Sequence, residues 1–229
     1  RITESHIEEF AIKLLEKQGY EYIYAPNIAP DGETPERESY GQVILIDRLR
    51  RAVRRINLGI PAEQQEEAIR EIQRIASPEL ISNNETFHRY LTEGIPVSYQ
   101  LDGSERGDLV WLIDFQDPLN NNFVVSNQFT VIENNHNKRP DVLLFVNGLP
   151  LVLVELKNAT DENATVHSAF RQMETYKSQI PSLFTYNALS IISDGLEARA
   201  GSLSAGLSRF LAWKSADGKT EASHLVSQL

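Results

Sequence analysis

Cysteine is missing from all 229 residues, and methionine occurs once. The chain therefore has no disulfide framework, no thiolate metal site and no cysteine nucleophile. Long apolar runs are missing too. None reaches the roughly 18 residues needed to span a bilayer, and no signal-peptide pattern opens the sequence. A cytoplasmic protein with no membrane partner is the expectation. Basic charge is scarce: 22 Lys and Arg stand against 32 Asp and Glu, for a net charge of -10. A stand-alone, tight, non-specific DNA binder would be basic. The charge does not exclude a nuclease site, which needs carboxylates and can borrow its DNA grip from partner subunits. There is no G-x-S-x-G elbow and no G-x-G-x-x-G, so a serine hydrolase and a dinucleotide fold lack support. His6, His88, His136, His167 and His224 show no zinc spacing. The NNHNK string around His136 reads as a polar loop.

What is present suits a globular fold: 41% hydrophobic and 24% charged residues. The length fits one domain over 1–229, or one domain with an insertion. The first residue is Arg1, which suits a portion of a longer chain. Residues 3–18 read as a helix with Thr3 or Ser5 as N-cap, Glu8 standing three beyond Ser5 as in a capping box. Its apolar stripe is Ile7, Phe10, Ala11, Leu14 and Leu15, Gly19 stops it, and Tyr20 to Tyr24 forms a short strand. Residues 25–40 are a Pro-rich loop. Residues 41–92 carry three helical patterns, expected to form a helical insertion or cap at about 41–94. From 95 the period changes to that of strands: IPVSYQL, DLVWLIDF and NFVVSNQFTVIE. Two apolar runs then flank Asn147-Gly148, a hairpin signal. A helix over 162–179 ends at Pro181, ALSIISDG is a buried strand, and LEARAGSLSA a strand or turn. The order predicts an α/β or α+β domain around one central sheet.

The chemistry is concentrated at Asp141 and at Glu155-Leu156-Lys157. Charged side chains ending an apolar strand are costly unless paired or metal-bound. Residues two apart on a strand share a face, so Glu155 and Lys157 project together. Whether Asp141 joins them depends on register. A strict two-residue turn at Asn147-Gly148 pairs 141 with 154 and puts Asp141 and Glu155 on opposite faces. One extra loop residue, or a bulge, pairs 141 with 155. Pro150 cannot donate to the ladder, which favours the second register. Two carboxylates and an ammonium on one face suit a hard cation such as Mg²⁺, with Mn²⁺ as substitute. The bland alternative is a salt-bridged strand end. Gln172 and Tyr176, four apart on the following helix, offer an amide and a hydroxyl suited to a phosphate or a metal-bound water.

The string RPD…ELK, the Gln-x-x-x-Tyr helix and the Glu8 helix resemble the PD-(D/E)xK nucleases. The stretch from NQFTVIENNHNKRPD to ALSIISDG is similar to the N-terminal nuclease domain of the restriction (R) subunit of type I restriction–modification enzymes. The resemblance implies a restriction-endonuclease-like mixed sheet flanked by helices, and an Mg²⁺-dependent endonuclease acting on double-stranded DNA. Asp141 and Glu155 match its metal-binding acids, Lys157 its catalytic lysine, and Gln172 and Tyr176 its added motif. Glu8 resembles its helix glutamate, a further metal ligand through water. Methyltransferase and specificity subunits are the implied partners. ATP would enter only through a motor region absent from this chain. No complete phosphate-binding loop is present: Gly218-Lys219-Thr220 matches only its tail, with Trp213 where the first glycine belongs.

Weaker signals remain. Lys138 and Arg139 precede Asp141 and would steer a DNA phosphate toward it. Arg48, Arg51 and Arg55, with Arg50 and Arg54, form either a contact for DNA or an acidic partner, or a solvated face paired with local acids. Asp108 and Asp114 are alternative ligands. Two other functional readings stay open: a docking module for motor or methylase subunits, and a phosphodiesterase acting on RNA or branched DNA.

Overall fold

The computed structural model describes residues 3–158, 165–195, 197–214 and 221–222. Residues 162–164, Leu196, the Gly218-Lys219-Thr220 loop and His224 lie outside the described residues. The first helix, α1 (Glu4–Lys17), is capped by Thr3, whose backbone N–H donates to His6 Nδ1 at 3.1 Å. Thr3 and His6 thus form the capping box, not Ser5 and Glu8. The buried stripe is Ile7, Ala11, Ile12 and Leu15, so Ile12 takes the place expected for Phe10, which is exposed. Gly19, at φ +99°, turns the chain into β1 (Glu21–Tyr24).

Residues 25–122 then leave the sheet and return. This excursion holds α2 (Ile46–Ile56), α3 (Ala62–Gln73), α4 (Leu80–Glu93), β2 (Ile95–Leu101) and β3 (Ser104–Val110). Residues 41–45 are not helical, and β3 begins earlier than the apolar run suggested. β2 alternates buried and exposed residues, and it pairs only with β3. Its buried face serves the excursion, so these two strands stand outside the central sheet expected to hold them.

The central sheet has the order β1-β4-β7-β8-β9-β10. Its remaining strands are β4 (Phe123–Asn127), β7 (Val142–Val146), β8 (Leu149–Leu156), β9 (Leu189–Ser193) and β10 (Ala198–Gly201). β1–β4 and β8–β9 are parallel and the other pairs antiparallel, making a mixed sheet. Gln128, at φ +59°, breaks the strand expected over 122–133. A separate hairpin follows, β5 (Val131–Glu133) and β6 (His136–Lys138), turning on Asn134 and Asn135 with positive φ. The NNHNK loop is therefore a tight hairpin. Beyond β8 come α5 (Val166–Gln179), capped by Thr165, and a short α6 (Pro181–Thr185) that Pro181 starts.

Each face of the sheet buries its own apolar layer. Leu143, Phe145, Leu151 and Leu153 pack with α5 and the excursion, sharing one cluster with Leu49, Ile69 and Phe87. Val142, Leu144, Val154 and Leu156 pack under α1. The excursion is thereby part of the main core. Where it meets the hairpin turn, Leu45 N donates to Gly148 O at 2.9 Å. Asn147 is fully buried, and its side chain bonds Leu112 O, Asn121 Oδ1 and Asn122 N.

Candidate active site

The β7–β8 hairpin decides the site. Its turn has two residues, Asn147 at φ +52° and Gly148 at φ +82°. Val146 pairs with Leu149 and Phe145 with Pro150, but Leu144 pairs with Val152. Leu151 is the extra residue of a β-bulge. Beyond it Leu143 faces Leu153 and Val142 faces Val154, so the register continues to Asp141 opposite Glu155. Without the bulge Asp141 would lie opposite Val154. The second register considered from the sequence is the one adopted, with a bulge and no longer turn.

Asp141 Oδ2 accepts from Leu156 N at 2.7 Å, which clips the start of β7 to the end of β8. Glu155 is 1% exposed, and its Oε1 accepts from Lys157 Nζ at 2.7 Å. Its Oε2 is buried with no partner. Lys157 Nζ also reaches Glu4 Oε1 at 3.1 Å and the Leu156 carbonyl at 3.0 Å. Burial pushes the Asp141 carboxyl up to about 6, against the Leu156 amide and Lys157, which pull it down. Burial, then the neighbouring Asp141 charge, pushes Glu155 up to about 8. Burial works to lower the Lys157 ammonium, but Glu155, Asp141 and Glu4 outweigh it and hold it above its usual value. Two carboxylates that resist ionisation although an ammonium is bound to one of them describe a site short of positive charge.

Tyr176 on α5 is buried against this pair. Burial, followed by the charges of Glu155 and Asp141, raises its hydroxyl well above the ordinary tyrosine range. Gln172, one turn earlier, interacts with the same hydroxyl. α5 therefore brings Gln172 and Tyr176 to the face that carries Glu155. Glu8 approaches from α1 and adds to the negative potential at Asp141. Its Oε1 accepts from Asn127 Nδ2, and Asn127 Oδ1 accepts from Tyr22 Oη at 2.9 Å. Glu8 is thus tethered over β4. Among the described residues, no group of three or more His, Asp or Glu side chains is gathered closely enough to hold a metal.

Lys138 ends β6 and Arg139 is exposed beside it, both just ahead of Asp141 in the chain. Several of the other candidates are engaged away from this site. Arg48 is bound by Glu36 at 2.6 Å and Glu21 at 2.8 Å, and Arg50 by Glu66 at 2.7 Å. Asp108 accepts from the Tyr99 hydroxyl. Asp114 accepts from the backbone of Gln116 and Asp117. Glu4 is the residue that sequence reasoning missed. It stands one helical turn before Glu8, and that i, i+4 spacing was the available signal.

The family model described as type I restriction enzyme R protein N terminus matches residues 1–209. The chain belongs to this family. Among R-protein relatives, the type I restriction enzyme HindI endonuclease subunit of Haemophilus influenzae is 38% identical over 98% of this chain and 21% of its own length. A putative type I restriction enzyme MjaIXP endonuclease subunit of Methanocaldococcus jannaschii is 33% identical over 91% of this chain and 20% of its own. A shorter match, to the SauCOLORF180P endonuclease subunit of Staphylococcus aureus, is 42% identical over 80 residues. The chain spans about a fifth of the length of the first two relatives. No helix among the described residues is long and apolar enough to cross a membrane.

Proposed function

We propose that this R-protein N-terminal region is a PD-(D/E)xK nuclease that hydrolyses phosphodiester bonds of double-stranded DNA in the cytoplasm. It would act as one domain of a restriction subunit, beside methyltransferase and specificity subunits, with ATP used only by a motor elsewhere in that subunit. The observation that carries the reading is the Leu151 bulge, which aligns Asp141 with Glu155 while Lys157 grips Glu155. A salt-bridged strand end does not require a second buried carboxylate, nor a carboxylate oxygen left without a partner.

The residues present fit a divalent cation. The donors are carboxylate oxygens, and Glu155 Oε2 is buried and free to accept. Asp141 and Glu155 would hold Mg²⁺ or Mn²⁺, with Glu8 contributing through water. When bound, the cation would supply Lewis-acid polarisation of the phosphate and a more acidic water. Lys157 places its ammonium beside these acids, where it offsets charge building on the phosphate oxygens. Tyr176 stays protonated at neutral pH and serves as a donor, with Gln172 fixing the direction of its hydroxyl. Lys138 and Arg139 would hold the backbone ahead of Asp141.

The test is cleavage by the assembled restriction complex. Asp141→Asn, Glu155→Gln and Lys157→Ala each conserve or reduce volume, and each should lower cleavage at least a thousandfold while the domain stays folded by circular dichroism. Cleavage retained by the Glu155 variant would sink the assignment. It would also favour a docking role, for which the excursion offers exposed apolar side chains such as Leu58, Phe115 and Leu119.

A further inference from the structure

Arg37 is the cation the site above leaves unexplained. It is 3% exposed, in the loop between β1 and α2. Its Nε donates to Gln42 O and its Nη2 to Tyr40 O, both at 2.8 Å. The guanidinium lies 3.9 Å from the centroid of the Phe129 ring. Among the described residues no carboxylate forms an ion pair with it, in contrast to Arg48, Arg50, Arg54, Arg74, Arg106 and Arg199. Its Nη1 is buried with no partner. An unpaired buried charge is strongly unfavourable. A desolvated cation–π contact offsets only part of that. Two neutral carbonyls supply no net counter-charge.

The same residue lines a cavity of about 270 Å³ with Pro26, Asp31, Tyr40, Gln128 and Thr130. The cavity's place in the sheet gives it meaning. Ala25, in its wall, directly follows β1, and Gln128 directly follows β4. Tyr24 pairs with Asn127, and Asn127 pairs with Val142, the neighbour of Asp141. Strands lie about 4.8 Å apart. The cavity is therefore at the Asp141 end of the sheet, one to two strands away.

We infer that the Arg37 cavity binds a phosphate of the DNA backbone, one adjoining the phosphate presented to Asp141 and Glu155. Its identity as DNA phosphate rests on the nuclease reading; its preference for an anion rests on Arg37 alone. The guanidinium supplies charge and an unused donor, and Gln128 and Thr130 supply neutral donors. Asp31 works against the anion. It accepts from the Tyr40 hydroxyl at 2.7 Å and keeps one negative charge at the cavity wall. A chain of net charge -10 gains most from a cation that is buried, where solvent and salt screen it least.

Removing Arg37 would uncover Phe129 and two carbonyls, so the test uses the cavity wall. Gln128→Glu and Asp31→Asn change charge by one unit in opposite directions without changing shape. A short fluorescent duplex is titrated with the full-length subunit in Ca²⁺, by anisotropy, after melting curves show each variant folded. Gln128→Glu should weaken duplex binding about tenfold and Asp31→Asn should tighten it severalfold. Both affinities staying within twofold of wild type would overturn the inference. Inorganic phosphate separates the two sources of anion. If it raises the melting temperature, Gln128→Glu abolishes that rise and duplex affinity does not change, the cavity serves free anions and the DNA reading is overturned. If the complex never cleaves yet both variants shift duplex affinity as stated, the nuclease reading fails and the phosphate grip stands.

Discussion

Glu155 concentrates the electrostatic cost of the fold. It is buried beside Asp141 with half of its carboxylate unpartnered, so the ionised form is disfavoured in the native state. Both acids bind protons more tightly when folded than when unfolded, so protonation favours the fold. Their contribution is full below about pH 4 in metal-free protein. It is lost as pH rises through about 6 for Asp141 and about 8 for Glu155. Urea unfolding in chelator should show stability falling by a few kcal/mol, on the order of 1.4 per pKa unit, between pH 5 and 9. Glu155→Gln should remove the upper part of that slope. An unchanged slope in the variant would show that Glu155 ionises freely. The acids and Lys157 were legible because they interrupt an apolar run. Glu4 and Arg37 were not: the Lys157 that Glu4 binds and the Phe129 ring that Arg37 covers both arrive from far along the chain.

The hairpin of β7 and β8 is pinned at the end opposite the acids. A Cβ at Gly148 would lie 2.4 Å from the Leu45 carbonyl and 3.0 Å from the Leu49 amide, in a backbone conformation at φ +82°. Gly148→Ala should therefore cost about 2–4 kcal/mol, the left-handed penalty plus overpacking. Its urea midpoint measures this, and a loss below 0.5 kcal/mol would mean the α2 start can slide away. Element types were legible in the long periodic segments, α1, α3, α4 and α5. The β5–β6 hairpin was not, because Gln128 breaks the strand with no glycine or proline to announce it. The bulge was legible only as one of two registers. Pro150 signalled irregularity, and packing of Leu151 into the layer beneath α5 made the choice.

One apolar cluster runs from the excursion through the sheet to α5, so the described residues should unfold in a single transition. A ligand held at one end of the sheet then stabilises the whole. At a hundred times its Kd, a cation bound only to the native state adds about 2.7 kcal/mol. For a chain of this size that is roughly 5–10 °C in melting temperature. Mn²⁺ with a short duplex should produce such a rise in wild type and none in Glu155→Ala; equal rises in both would place the cation elsewhere. The mixed α/β class was legible from the change of period at residue 95. That the excursion shares the main core was not, since only tertiary contacts such as Leu45 to Gly148 disclose it.

The pairing of Lys157 with Glu4 has a kinetic side. Asp141 and Glu155 meet across a hairpin, an event of about 1–10 μs. Glu4 is 153 residues from Lys157, so that contact waits on closure of nearly the whole chain. As the chain folds, the hairpin that pairs the acids closes over a short loop, while the second carboxylate on the lysine arrives only once α1 has docked. A partly folded chain would carry the acid pair before Lys157 is held between its two carboxylates, and its active geometry would appear last.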